Sequence, residues 1–344
     1  MVRFRTDIGA TNEAADPNNE NYAKELETDV LIVGAGFGGI YLMHKLRQQG
    51  FKCKIMEAGT NIGGIWHWNC YPGARVDSQV PIYEYSMPEV WQVIEFLPHL
   101  RLQTLTLVRQ DWNWSCRYPG TEELQQYFDH VERKLDIKKD CAFNTRVVGA
   151  QFDKPSSKWV VKTEDGRTAR CKYFLLALGF AAKRHFPDWP GMDKFEGEIH
   201  HSSFWPASGV DVKGKRVAVI GTGSTGVQIA QETSKTAASI TQFVRTPNLC
   251  LPMQQKPLTK EEQDKRKQGE YQEIFKRRLT TFAGFQYDYI EKNTFDDSPE
   301  EREAFYEKMW QNGGFEFWLV RHAYKARISA DTYIFAGKLQ GSAI

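Results

Sequence analysis

Two glycine clusters in this sequence have the spacing of backbone cradles for phosphate: Gly34-Ala35-Gly36-Phe37-Gly38-Gly39 and Gly221-Thr222-Gly223-Ser224-Thr225-Gly226. In a G-x-G-x-x-G turn the first glycine permits the tight turn and the second lets the backbone approach a pyrophosphate. The third lets helix and strand pack closely. Each cluster is completed by a charged residue roughly 20 positions on, where the chain returns to the ribose. After the first it is Glu57, whose carboxylate can accept hydrogen bonds from ribose hydroxyls; after the second it is Arg245. A guanidinium pairs with a 2′-phosphate in bidentate fashion. The first site therefore suits FAD or NAD, and the second suits NADPH. Hydride passing from NADPH to FAD is the chemistry of flavoprotein reductases and flavin monooxygenases.

The flanking elements fit that reading. Asp29–Val33 reads as a buried strand, an amphipathic helix runs from the turn to about Gln49, and Lys52–Met56 is a second strand ending at Glu57. The second copy has Lys215–Ile220 before its turn, a helix to about Ser234, and a strand Ser239–Val244 ending at Arg245. One glycine turn alone also occurs in unrelated loops. Two strand–turn–helix–strand units with opposite ribose-end charge point to an α/β fold with two Rossmann-like domains.

Past Glu57 come Gly63-Gly64-Ile65-Trp66-His67-Trp68-Asn69 and Tyr71-Pro72-Gly73-Ala74-Arg75-Val76-Asp77-Ser78. Glycines permit close approach to a cofactor, aromatic rings cover a flat one, and a buried acid can hold a nearby cation. The alternative is a surface turn with two packing tryptophans, which leaves Arg75 and Asp77 without a purpose.

Composition adds limits. The 344 residues allow two domains. The net charge of +2 shows no bias toward nucleic acid or membrane. The polar stretch Met1 to Asn21 lacks the apolar segment of a signal peptide, and no run has the length of a membrane span. Cys53, Cys70, Cys116, Cys141, Cys171 and Cys250 stand singly, without metal-ligand spacing. Reduced thiols in a cytoplasmic protein, with no metal, are the expectation.

Between the two glycine turns lies Phe195-Glu196-Gly197-Glu198-Ile199-His200-His201-Ser202-Ser203-Phe204-Trp205-Pro206. It fits F-x-G-x-x-x-H-x-x-x-W-P at every fixed position and resembles the fingerprint of Baeyer–Villiger monooxygenases. The Gly63–Asn69 and Tyr71–Asp77 strings, the Arg245-Thr246-Pro247 segment and Leu176-Ala177-Leu178-Gly179 resemble other parts of that family. The resemblance implies FAD and NADPH as cofactors, and O2 and a ketone as partners. The product would be an ester or lactone, formed through a flavin C4a-peroxide. It implies an NADP domain inserted in the FAD domain: an arm over 1–25, FAD domain over 26–182, linker over 183–210, NADP domain with a helical insertion over 211–335, and an atypical tail over 336–344.

By the same resemblance, Gly34, Gly36, Phe37, Gly39, Glu57, Gly64 to Trp68, Asp77, Ser78 and Tyr83 contact FAD. Arg75, Val76, Gly221, Thr222, Gly223, Ser224, Thr225, Gly226, Gln228, Arg245 and Thr246 serve NADPH. Asp77 would be the catalytic residue, paired with an arginine later in the chain, of which the sequence shows no counterpart. Arg321 and Arg327 fall in text that matches the preceding helical region. Phe195, Gly197, His201, Trp205 and Pro206 form the linker motif. His201 is expected to couple domain movement rather than act as a base, and His200 to be a solvated neighbour. N- and S-oxygenating flavin monooxygenases share both turns but lack the Trp205-Pro206 ending. A truncated fragment with impaired catalysis is a third reading. Val76 to Ser78 and the extended N-terminus look like fungal relatives acting on bulky or polycyclic ketones.

Thr259-Lys260-Glu261-Glu262 and Ser298-Pro299-Glu300-Glu301 are capping boxes, and Gly313 is a helix stop. The charge runs Lys260 to Lys267 and Glu300 to Glu307 read as solvated faces. Val93 to Gln110 departs from the family pattern between Trp91 and Asp111-Trp112, as a translated intron would, and the tail Leu339–Ile344 could share that origin.

Overall fold

Strand β1, Glu25–Val33, alternates exposed and buried residues until Val30 and is then buried throughout. That change marks the point where a sheet edge becomes a sheet centre. The computed structural model describes residues 20–91, 93–95, 107–109, 112–180, 184–248, 250, 252–281, 284–287 and 295–313. Helix α1, Phe37–Gln48, follows β1, and β2, Cys53–Met56, returns parallel to it. Two single-turn helices come next, α2 at Ile65–Trp68 and α3 at Pro88–Trp91. Strands β3, Val93–Glu95, and β4, Leu107–Arg109, pair antiparallel. The stretch that departs from the family pattern thus begins and ends at one point of the fold; its middle lies outside the described residues.

Helix α4, Thr121–Leu135, buries Leu124, Tyr127, Phe128, His130 and Val131 on one face. Two of its acids, Glu122 and Glu123, lie in the first turn and Arg133 and Lys134 in the last, each of these favourable to the helix dipole. Strands β5, Cys141–Ala142, β6, Val147–Asp153, β7, Lys158–Thr163, and β8, Thr168–Leu176, complete a six-stranded sheet of order β5-β2-β1-β8-β7-β6. Its β5, β2, β1 and β8 run parallel, while β6, β7 and β8 form an antiparallel meander. Leu26, Leu31, Met56, Ala142, Val161, Ala169 and Cys171 make a core on this sheet. Fully burying a side chain the size of Leu31 is worth about 1.5–3 kcal/mol. Glu20–Tyr22, expected within an N-terminal arm, is instead built into the sheet's end. Asn21 is buried there and donates to Lys139 O at 2.7 Å, and Tyr22 Oη accepts from Phe143 N.

Strand β9, Arg216–Ile220, helix α5, Ser224–Thr233, and β10, Ser239–Phe243, form the second strand–helix–strand unit. Ala238 N donates to Lys215 O and Gly221 N to Phe243 O, so β9 and β10 run parallel. Helices α6, Lys260–Gly269, and α8, Pro299–Asn312, each begin with a complete capping box, and Gly313 ends α8. Helix α7, Tyr271–Arg277, follows α6 directly.

The described residues group into two compact units. One draws on Met1–Ala74, Thr121–Val217 and Gln231–Ser239; the other on Arg75–Gly120, Ala218–Ala230 and Ile240–Ile344. The paired α/β sheets bear out the expected fold class. No helix among the described residues is long and apolar enough to cross a membrane. Arg321, Arg327 and Leu339–Ile344 lie outside the described residues.

Candidate functional site

The first glycine turn is backed tightly by main chain at Gly34 and Gly39. Gly34 takes φ +104°, and a Cβ there would stand 2.4 Å from Ala177 O. A Cβ on Gly39 would stand 1.9 Å from Gly34 O. The strand-end Leu176–Gly179 is therefore the wall of this turn, and Ala177 N donates to Val33 O at 2.9 Å. Glu57 is buried, and its carboxylate clasps the turn: Ala35 N donates to one oxygen and Gly59 N to the other, both at 2.7 Å. Each oxygen keeps further acceptor capacity. Helix α1 starts at Gly36 with no side-chain cap and no acid in its first turn, which leaves its N-terminal N–H groups for an anion. The Phe37 ring packs edge-on to Phe128 at 4.8 Å.

Helix α2 begins at Gly64, and Gly63 N donates to Ala35 O at 2.9 Å. A Cβ on Gly64 would meet Gly36 Cα at 2.9 Å, so two glycines bring turn and aromatic segment together. Trp66 is buried and Ile65 exposed. The His67 and Trp68 rings lie over Gly59, beside Glu57. His67 is within 3.1 Å of Thr60 Oγ1, and burial pushes its pKa below the ordinary histidine value. It thus serves as a packing ring against Gly59.

Arg75, Val76, Asp77, Ser78 and Tyr83 belong to the other compact unit. Val76 is buried and its N–H donates to Pro119 O at 3.2 Å. Gln228 of α5 donates to Arg75 O at 3.2 Å. Asp77 is open to solvent, yet partial desolvation raises its carboxyl above the usual range, opposed by a backbone hydrogen bond. A carboxyl hemmed by protein on one side loses hydration while remaining reachable. Ser78 and Tyr83 are half-buried.

The second glycine turn shares the backbone but not the enclosure. Gly221 takes φ +107° and a Cβ on Gly226 would stand 2.4 Å from Gly221 O, yet one on Gly223 would meet nothing within 4 Å. Ser224 is exposed, Thr225 half-buried, and α5 has no acid in its first turn. Arg245 and Thr246 are exposed, and no acid among the described residues pairs with Arg245. Sequence reasoning missed the ties across this turn. Gln242 donates to Gly221 O at 2.9 Å, Asn248 to Thr222 O at 2.6 Å, and Thr222 Oγ1 to Thr246 O at 3.2 Å. Polar residues on both sides of Arg245 were the available signal.

In the linker, Ser203 N donates to His201 Nδ1 at 3.1 Å, which leaves Nε2 to donate to His185 O at 3.3 Å. His201 therefore caps the short turn Ser202–Phe204 as a neutral ring, and desolvation lowers its pKa. The Arg184 guanidinium lies 3.3 Å over the Phe204 ring and 5.3 Å from the Trp68 ring. The Phe195 ring lies across Gly197, and Trp205 and Pro206 are half-buried. His200 is not the solvated neighbour expected: it is half-buried, 3.2 Å from Glu198 Oε2 and 5.5 Å from the Trp205 ring.

A second correction concerns the Lys260–Lys267 run. Lys267 is buried beside the buried Glu84 rather than solvated. Burial pushes Glu84 up to about 7, against the pull of Lys267 and the Trp114 hydrogen bond. Gln263, Lys267, Tyr271 and Phe275 recur every fourth residue, a signal of one buried face that the charges concealed.

Two glycine turns, each followed by a charge and those charges of opposite sign, mark a protein of two dinucleotide sites. Residues 28–287 match the model of the pyridine nucleotide-disulphide oxidoreductase family, and the chain belongs to that family. Within it, the chain is similar to the FAD-binding monooxygenase acrE of Aspergillus aculeatus, 51% identical over 86% of this chain and 47% of that protein. It is also similar to cyclopentanone 1,2-monooxygenase of a Comamonas species, 43% identical over 85% of this chain and 50% of the relative. A solved structure of an oxidized steroid monooxygenase bound to NADP superposes with TM-score 0.81 at 32% identity, over 91% of this chain and 57% of that one. The chain spans about half the length of the curated relatives it matches. The resemblance to Baeyer–Villiger monooxygenases read from the sequence is borne out by these relatives.

Proposed function

We propose that the chain serves FAD- and NADPH-dependent oxygen insertion beside a ketone carbonyl, giving an ester or lactone. The observation that carries this reading is the pair of dinucleotide turns with opposite ribose-end charge, joined by an intact fingerprint string. The first turn fits FAD: helix α1 starts there with no side-chain cap and no acid in its first turn, and Glu57 retains acceptor capacity for ribose hydroxyls. The second fits NADPH: Arg245 offers an exposed fork of donors to a 2′-phosphate. When bound, FAD supplies hydride acceptance and oxygen activation.

The protein's own part is placement and exclusion of water. Ile65 to Trp68 and Tyr83 would cover the flavin ring. Asp77 would hold a cation close to it, which would draw its raised pKa back down. Gln228, which donates to Arg75 O, would hold Arg75 for the nicotinamide end of NADPH. Bulky or polycyclic ketones are the proposed substrates, a reading supported by the likeness of Val76 to Ser78 to fungal relatives. The FAD and NADP domains are proposed at 26–182 and 211–335, around a 183–210 linker. Six free cysteines, three of them buried, suit a reducing compartment such as the cytoplasm.

The test is purification followed by turnover. Yellow protein that consumes NADPH with a cyclic ketone and places one atom of 18O2 in an ester supports the reading. NADPH consumption that yields only peroxide, with no labelled ester from any ketone, contradicts it.

A further inference from the structure

Gln263, Lys267, Tyr271 and Phe275 form one stripe along α6 and α7, and all four are buried. The stripe grips the chain from Trp112 to Trp114. Gln263 makes a two-bond pair with the Trp114 backbone, accepting from its N–H at 2.8 Å and donating to its carbonyl at 2.9 Å. Lys267 donates to Trp112 O and, at 3.1 Å, to Asn113 Oδ1. Trp114 Nε1 in turn donates to Glu84 Oε2 at 2.5 Å, and the Tyr271 hydroxyl bonds the same carboxyl. Arg278, just past α7, donates to Pro81 O at 3.4 Å and Glu84 O at 3.3 Å. Both the side chain and the backbone of Glu84 are thus held by α6–α7 or by residues α6–α7 fixes.

A buried carboxylate beside a buried ammonium is a poor device for stability, because both give up hydration that apolar residues of like volume would not. Such a cluster does impose one geometry, since any displacement leaves a buried charge short of partners. The geometry imposed here is that of the stretch ending at Glu84. Glu84 follows Tyr83 directly. The other end is held by Gln228 on Arg75 O, and the middle by Val76 N on Pro119 O at 3.2 Å, Val80 N on Arg117 O at 3.0 Å and Arg117 Nε on Gln79 Oε1 at 3.1 Å.

We propose that Glu84 is a positioning residue: through Trp114 and Tyr271 it sets the Arg75–Tyr83 segment against α6–α7, so that those helices govern where Asp77 and Tyr83 stand. The inference rests on the reading of that segment as the flavin-side wall. It predicts that loosening the clamp weakens and reshapes flavin binding without unfolding the protein.

The full chain is titrated with FAD and the visible flavin spectrum recorded, with thermal unfolding measured in parallel. Glu84→Gln keeps the size and one acceptor for Trp114 but removes the charge. Gln263→Leu loosens the same clamp without touching a charge, and Lys260→Ala alters the exposed side of α6. The expected result is a rise of about tenfold in FAD Kd and a shifted flavin band for both Glu84→Gln and Gln263→Leu, with Lys260→Ala like the parent. Folded variants with parental Kd and spectrum would overturn the proposal and leave the cluster a purely structural one. If one variant fails to fold, the other decides. A parent chain that takes up no FAD overturns the flavin-side reading and the positioning role together, and that failure shows before any variant is examined.

Discussion

The two glycine turns share a sequence pattern and a backbone, but one is a closed socket and the other an open shelf. At the first, strand β1 is buried through its last four residues, the wall at Ala177 touches Gly34, and Glu57 has both oxygens on backbone N–H groups. At the second, β9 and β10 are mostly exposed or half-buried, Gly223 faces open space, and Arg245 reaches into solvent. The charge that follows each turn therefore does two kinds of work. Glu57 holds its turn together before any nucleotide arrives. Arg245 holds nothing among the described residues and is free for a ligand.

That contrast can be broken or sharpened by substitution. The largest effect is expected at Gly39→Ala, whose methyl would stand 1.9 Å from a backbone oxygen in a buried turn. A loss of about 3 kcal/mol or more is expected by urea unfolding. Gly226→Ala meets Gly221 O at 2.4 Å, but its half-exposed surroundings can give way, so a loss of about 1–2 kcal/mol is expected. Equal losses would show that the two turns are equally rigid. Next is Glu57→Gln, which turns an amide N–H against a backbone N–H and should cost about 2 kcal/mol, measured in the same way with no FAD added. A neutral result would mean that the clasp contributes nothing to the turn.

A pH effect follows at Glu84, which belongs to neither turn. Its carboxyl ordinarily titrates at 4.5 and is raised to about 7 by burial. Stability from such a group is fully present below the unfolded pKa and is lost as pH rises through the folded one. The stability of the parent relative to Glu84→Gln should therefore fall between pH 5 and pH 8, by on the order of 2–3 kcal/mol. Chemical unfolding at several pH values checks it, and a flat difference would contradict the burial argument. The smallest effect is expected at Gly223→Ala, which meets nothing and should change stability by no more than about 0.5 kcal/mol.

Much of this was legible before any coordinates. Both glycine turns, the strands beside them, the caps at Thr259 and Ser298 and the stop at Gly313 follow from local rules, because each depends on residues within a few positions. What stayed hidden depends on distant partners. Glu57 could be read as a ribose acceptor from its spacing, but not as the clasp of Ala35 and Gly59. Leu176–Gly179 read as a strand-end, not as the wall behind Gly34. Lys267 read as solvated because its neighbours are charged, while the residue it serves, Glu84, lies far off in the chain. His201 was legible as a linker residue; its fixed tautomer needed the positions of Ser203 and His185.

Selection of NADPH by the second turn is expected to rest on Arg245, a side chain that the fold itself does not need. The direct measurement is the Kd for NADP+ and for NAD+, in the parent and in Arg245→Ala, with unfolding followed alongside. The account predicts that the parent prefers NADP+ and that Arg245→Ala loses about 10- to 100-fold in NADP+ affinity, the worth of hydrogen bonds to a charged group. NAD+ affinity and the unfolding midpoint should stay where they were. A parent that binds both nucleotides equally, or a variant that keeps the preference, would contradict it.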